Sequence, residues 1–328
     1  MNSYQLITRN LQEVINPESL INVLSTRPAR GYWRIIPTSS IHLGYFGPLL
    51  KLRDFVQAGC EITILIDDVH VMLNYQTTSD NWTKYTIRLI KSMLKLLKVD
   101  VSQIKFVVGS SYQLTPDVTF NLYKLINQIP IQYSMTVGAE VVKHEKNPKL
   151  INLLYPLLNL LDEKYLQADF ALGEANQRKN LIYNINNNLR TDNNQTQCTY
   201  LLIQGLDLTA NPPAVVLNGV EKRSTSSSDK IDILERPKSI ETKIRKSCCL
   251  DRQNAILALY HQLIFRLDDE FRFEKNGEHL IFTSYEQLEN SFIEGNISSI
   301  DLKTNLSSFL IEFLKPIRKE FSRPFIIK

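Results

Sequence analysis

Cysteine is scarce in this sequence: four in 328 residues, Cys60, Cys198, Cys248 and Cys249, with no C-x-x-C spacing. That argues against a disulfide scaffold and a cysteine zinc cluster, and it fits a reducing, intracellular compartment, so a cytoplasmic location is expected. No run of about 18 apolar residues occurs. The polar start MNSYQLITRNLQEV has no basic stretch leading into an apolar one, so neither secretion nor membrane spanning is expected. There is no internal repeat of fixed period and no large excess of charge. The net charge of +4 and pI of about 8.7 permit contact with a polyanion without demanding it. What is present is ordinary for a globular chain: 43% hydrophobic and 22% charged residues, and length enough for about two domains.

Short β-rich runs alternate with helical patterns through the first two thirds: GYWRII (31–36), CEITILIDD (60–68), IKFVVGSS (104–111), ADFALG (168–173) and CTYLLIQGL (198–206). Such alternation predicts an α/β fold of βαβ units around a parallel sheet, with ligands bound beyond the carboxyl ends of the strands. The strand exits carry PTSSIHLGY, DDVH, SSYQ and GEANQRK. An asparagine-rich stretch, 184–197, reads as a surface insertion. Pro-Pro, Asn-Gly and serine clusters then mark a linker. From Lys238 onward, apolar residues fall at helical spacing, which predicts a second, mainly helical domain.

Four stretches have the residue types for chemistry. In HLGY, His42, Gly44 and Tyr45 open a helix whose free N–H groups suit phosphate, though a plain turn glycine explains them equally. In LLYPLLNLLDEKY, Tyr155, Asn159 and Asp162 share one helix face. Three polar groups on a leucine-rich helix point either to a bound polar ligand or to a helix edge in water. EKRSTSSSDK is either a solvated loop or one that closes on polyphosphate, with Lys222 as the charge and Ser224 and Ser226 as donors. The bases Lys222, Arg223, Lys230, Arg236, Lys238, Lys243, Arg245 and Lys246 form either an RNA-binding stretch or a solvated face.

The order of these pieces, His-x-Gly after the first strand and Lys-x-Ser-x-Ser after the last, resembles a class I aminoacyl-tRNA synthetase. LITRNLQEV, QAGCEITILIDDVH, GAEVVK, LLYPLLNLLDEKYLQAD, NQRK, KIDIL and PIRKEFSRP are similar, nearly end to end, to archaeal and eukaryotic cytosolic tyrosyl-tRNA synthetases. The resemblance implies a Rossmann-type catalytic domain (1–220), a signature loop and linker (221–237) and a helical anticodon-recognition-like domain (238–328), working as a homodimer. It also implies tRNA as a partner and ATP, with Mg2+, for activating tyrosine before transfer to the tRNA.

Residue by residue, the resemblance assigns Tyr32 and Asp162 to the tyrosine hydroxyl and Tyr155 to its amino end, and it retains His42, Gly44, Gly173, Gln177 and Lys222. Asn159 and Ala171 stand where the family has glutamines. Arg34 replaces a small residue, Ser39 a turn glycine, Glu174 a glycine and Asn176 a ribose-binding aspartate. These departures meet around the adenylate, where Arg34 and Glu174 are expected to crowd it. The expected function is a pseudo-synthetase with impaired tyrosine activation, kept for binding RNA or protein. The alternatives are an active tyrosine–tRNA ligase with a remodelled pocket, and a sensor or enzyme for a tyrosine-like small molecule.

Overall fold

In the computed structural model the described residues are 1–37, 40–75, 80–132, 135, 150–174, 178, 198–203, 230–247, 249 and 255–321. The chain divides into two compact units. The first comprises Met1–Thr38, Lys51–Lys91 and Val99–Gln204; the second comprises Ser39–Leu50, Ser92–Lys98 and Gly205–Lys328.

The first unit is built on a six-stranded sheet. Its strands are β1 Glu13–Ile15, β2 Arg30–Ile35, β3 Glu61–Ile66, β4 Ile104–Val108, β5 Phe170–Glu174 and β6 Thr199–Ile203, in the spatial order β1-β6-β5-β2-β3-β4. Each of the five β-rich runs holds one strand, and β2 to β6 pair in parallel. The sheet is nonetheless mixed, because β1 runs antiparallel to β6 along the edge. Three residues are too few to leave an alternating pattern in sequence, so this edge strand was not foreseen.

Side chains alternate across a strand, so Tyr32 and Arg34 share one face of β2 while Gly31 and Trp33 take the other. On the glycine side the Phe170 ring packs edge-on against Phe55, with centroids 4.9 Å apart. A Cβ on Gly31 would lie 2.2 Å from that ring, so no larger residue fits there. Near the opposite face runs the helix Leu150–Tyr165. Its Leu157, Leu160 and Leu161 bury against Val118 and Leu125 of the helix Pro116–Gln128. This apolar seam fixes the rotation of the later helix and so decides where its polar residues point.

The amino-terminal helix Ser3–Thr8 is anchored by a buried charge cluster. Lys51, fully buried, donates to the carbonyls of Leu6 (3.1 Å) and Arg9 (2.7 Å) and to Asp54 Oδ2 (3.0 Å). Arg9 closes the cluster on Asp54 Oδ1 at 2.5 Å.

The second unit is mainly helical. It contains helices Pro237–Lys246, Ala255–Leu259, Tyr285–Ile293 and Ser299–Glu320, the last begun by a capping box between Ser298 and Asp301. It also holds a hairpin, β7 Phe271–Lys275 against β8 Glu278–Phe282, which the helical pattern did not announce. The signal was available: Asn276 and Gly277 both have positive φ, as a two-residue hairpin turn requires.

Candidate active site

In the first unit a group of buried polar side chains gathers on β2, β5 and β6 and at the carboxyl ends of β3 and β4. Tyr32 pairs across the sheet with Ala171, and Ala171 with Tyr200, so a small side chain separates two buried tyrosines. The Tyr200 hydroxyl donates to Glu163 Oε1 at 2.8 Å, and burial raises both phenols well above their ordinary pKa. One residue along the Leu150–Tyr165 helix, Asp162 is 1% exposed. Its Oδ1 accepts from the Tyr112 hydroxyl at 2.5 Å and from Gln113 Nε2 at 2.8 Å, whereas its Oδ2 has no hydrogen-bond partner.

Two further carboxylates shape this end. Asp67 leaves β3 as its backbone N–H donates to the Ile35 carbonyl. Its Oδ1 accepts the His70 N–H at 3.2 Å, capping the helix Asp68–Tyr75. Asp68 Oδ1 accepts the Ser110 N–H at 2.8 Å, which holds the turn that presents Tyr112 and Gln113. Between the acids lies Arg34, whose Nη1 is 3.9 Å from both Asp67 Oδ2 and Asp162 Oδ2. Burial and the nearby Asp67 push the Asp162 carboxyl up to about 7, against the opposing pull of Arg34 and its two donors.

In the second unit the HLGY segment forms a 3₁₀ turn, Leu43–Tyr45, leading into the helix Phe46–Gln57. The Gly44 N–H donates to His42 Nδ1 at 3.2 Å, which leaves the neutral ring's proton on Nε2. Tyr45 packs edge-on against that ring. His42 forms an antiparallel bridge with Asp232, flanked by Leu43 N–H to the Ile231 carbonyl and Ile233 N–H to the Ile41 carbonyl. The first motif is thereby stitched to KIDIL, nearly two hundred residues later. Among the described residues, no group of three or more His, Cys, Asp or Glu side chains could hold a metal ion.

Residues 24–315 match the family described as tRNA synthetases class I (W and Y). The chain is 35% identical over 342 residues to the cytoplasmic tyrosine–tRNA ligase of Saccharomyces cerevisiae, covering 98% of this chain and 84% of that protein. It is also 35% identical over 333 residues to the cytoplasmic ligase of Gallus gallus. The chain belongs to the class I tyrosyl-tRNA synthetase family. It spans 98% of itself but 61% of the length of the Gallus gallus relative. The crystal structure of tyrosyl-tRNA synthetase complexed with L-tyrosine from Archaeoglobus fulgidus superposes with a TM-score of 0.81 at 28% identity, covering 97% of this chain and 98% of that one.

Of the residues that the family resemblance singled out, Tyr32, Arg34, Asn159, Asp162, Ala171, Gly173 and Glu174 lie in the first unit, and His42, Gly44 and Tyr45 in the second. Ser39, Asn176, Gln177, Lys222, Ser224 and Ser226 lie outside the described residues, and of Tyr155 only the helical backbone is described. The polar helix face is no water-boundary edge at Asp162. Asn159 is half-buried, and its Oδ1, like Gln113 Oε1, has no hydrogen-bond partner among the described residues. Ala171 is buried, and Glu174 is exposed at the end of β5. Arg34, expected to project toward the nucleotide, is found between Asp67 and Asp162. Asp67, Asp68, Tyr112 and Gln113 had been given no role. An acid pair closing the strand next to Arg34's was the available clue for the first two.

Proposed function

We propose that this family member has lost efficient activation of tyrosine and is retained as a cytoplasmic homodimer that binds tRNA, another RNA or a protein. The observation that carries the reading is Ala171. Where the family resemblance puts a glutamine that holds the amino group of tyrosine, this chain has a buried methyl wedged between Tyr32 and Tyr200. An ammonium left without such a partner loses roughly 1.5–3 kcal/mol of charged hydrogen bonding. Asn159, one methylene shorter than the second family glutamine, weakens the same clamp. Glu174, in place of a glycine, adds a carboxylate at the strand exit that the resemblance gives to ribose and α-phosphate.

ATP is the nucleotide that the family uses, and Mg2+ is expected to accompany its phosphates. Exposed apolar side chains at Leu114, Phe120, Tyr123, Ile131 and Leu150 support a homodimer, since exposed large apolar side chains are what an interaction surface covers. For RNA, Arg236, Lys238, Arg245 and Lys246 are exposed, whereas Lys243 is bound to Glu235 at 2.7 Å and is structural. The deciding experiment is pyrophosphate exchange with ATP and L-tyrosine. Exchange near background is expected, and robust exchange at ordinary substrate levels would refute the reading in favour of a working ligase.

A further inference from the structure

The two carboxylates around Arg34 are built alike. Each is fixed through Oδ1, Asp67 by the His70 backbone N–H and Asp162 by Tyr112 and Gln113. Each then leaves Oδ2 at the same 3.9 Å from one guanidinium nitrogen. Both acids are nearly inaccessible, at 4% and 1% side-chain exposure, and Arg34 itself is at 13%. At 3.9 Å the contact is an ion pair and not a hydrogen bond, so Asp162 Oδ2 is balanced in charge but still lacks a donor. A buried oxygen anchored on one side and undonated on the other calls for a partner, and a ligand's hydroxyl is one that would supply it.

We infer that Arg34 is a specificity-determining residue: its guanidinium occupies the place at Asp162 that a ligand's phenol hydroxyl would take, so the pocket carries its own occupant and discriminates against L-tyrosine. This deepens the function proposed above and takes Asp162 as the hydroxyl acceptor from the family resemblance on which that reading rests. The side chain leaves β2 on the same face as Tyr32 and reaches within 3.9 Å of Asp162, so it competes with an aromatic ring that would be held by Tyr32 and Asp162 together. Expelling it strips the cation from two buried acids, and a neutral hydroxyl donates to only one of them. A ligand that succeeds must therefore bring more than a phenol, or be small enough to share the pocket with the guanidinium.

The test compares L-tyrosine and L-phenylalanine binding by isothermal titration to the full chain and to R34A. Because R34A takes a cation from beside Asp67, the double variant R34A/D67N is measured beside it; asparagine keeps the helix cap while removing the charge. The expected result is a gain in L-tyrosine affinity of about 100-fold, the size of effect that loss of a buried ion pair implies, in at least one folded variant, with no matching gain for L-phenylalanine. The inference is overturned if the unaltered protein binds L-tyrosine as tightly as the variants. It is overturned equally if both amino acids gain alike, which would mean that only space was opened, or if folded variants gain nothing. Binding alone is read here, so R34A that binds tyrosine yet fails pyrophosphate exchange upholds both inferences, whereas exchange by the unaltered protein defeats the proposed function separately.

Discussion

The first unit buries two clusters of charge, and they are finished to different degrees. Around Lys51 and Asp54 there are four hydrogen bonds between 2.5 and 3.1 Å, and their partners all sit on the segment that the cluster anchors or on Lys51's own helix. The ion pairs of Arg34 with Asp67 and Asp162 stand at 3.9 Å, and among the described residues Asp162 Oδ2 and Gln113 Oε1 accept from nothing. Desolvating a charge is offset only when its hydrogen bonds are made as well. The Lys51 cluster meets that condition and holds the fold together. At Asp162 Oδ2 and Gln113 Oε1 it is not met, and buried oxygens left so are where a water or a ligand group is received.

Breaking the closed cluster should have the largest effect. D54A strands Lys51 in the interior and should destabilise the protein by about 3–5 kcal/mol, read as a shift in the urea midpoint. If D54A cost no more than a surface substitution, the distinction between the two clusters would collapse.

Asp162 offers a test of intermediate size. Its folded-state pKa, about 7, lies above the ordinary carboxyl value of 3.8, so between those pH values the folded protein holds a proton that the unfolded chain releases. The contribution of this group to stability is therefore full below about pH 4, is lost as pH rises through about 7, and is level above that, with Asp67 and Arg34 the charges that face it. D162N should abolish this fall, which amounts to a few kcal/mol. Urea unfolding at pH 5 and pH 8 measures it, and an unchanged slope in D162N would place the titration elsewhere.

The smallest effect belongs to a support of the open cluster. D68A removes the acceptor of the Ser110 N–H and should cost about 1 kcal/mol, with faster hydrogen exchange at Ser110 and in the turn bearing Tyr112. Exchange unchanged there would show that the turn holds itself.

Much of the framework was legible. Alternation gave the five parallel strands, and helical spacing gave Leu150–Tyr165 with Asp162 on a polar stripe, because periods of 2 and 3.6 are local properties of the backbone. The three-residue β1 escaped because it is shorter than any such period. The Asn276-Gly277 hairpin escaped although its turn chemistry was in view, because a helical pattern on both sides dominated the window. Within the site, Tyr32 and Asp162 were found through family wording. Tyr112 and Gln113 were quoted at a strand exit but given no task, since nothing local to them indicates that they donate to a carboxylate some fifty residues away.

By itself the sequence determined the order of strands and helices, the family, and the face of β2 that Arg34 shares with Tyr32. Tertiary structure alone decided which charges meet on that face and which backbone the HLGY turn borders. Strand periodicity sets the direction in which a side chain leaves the sheet, but the partner it finds is set by helices packed through space, here by the leucine seam that rotates Asp162 inward and by the cap that holds Asp67.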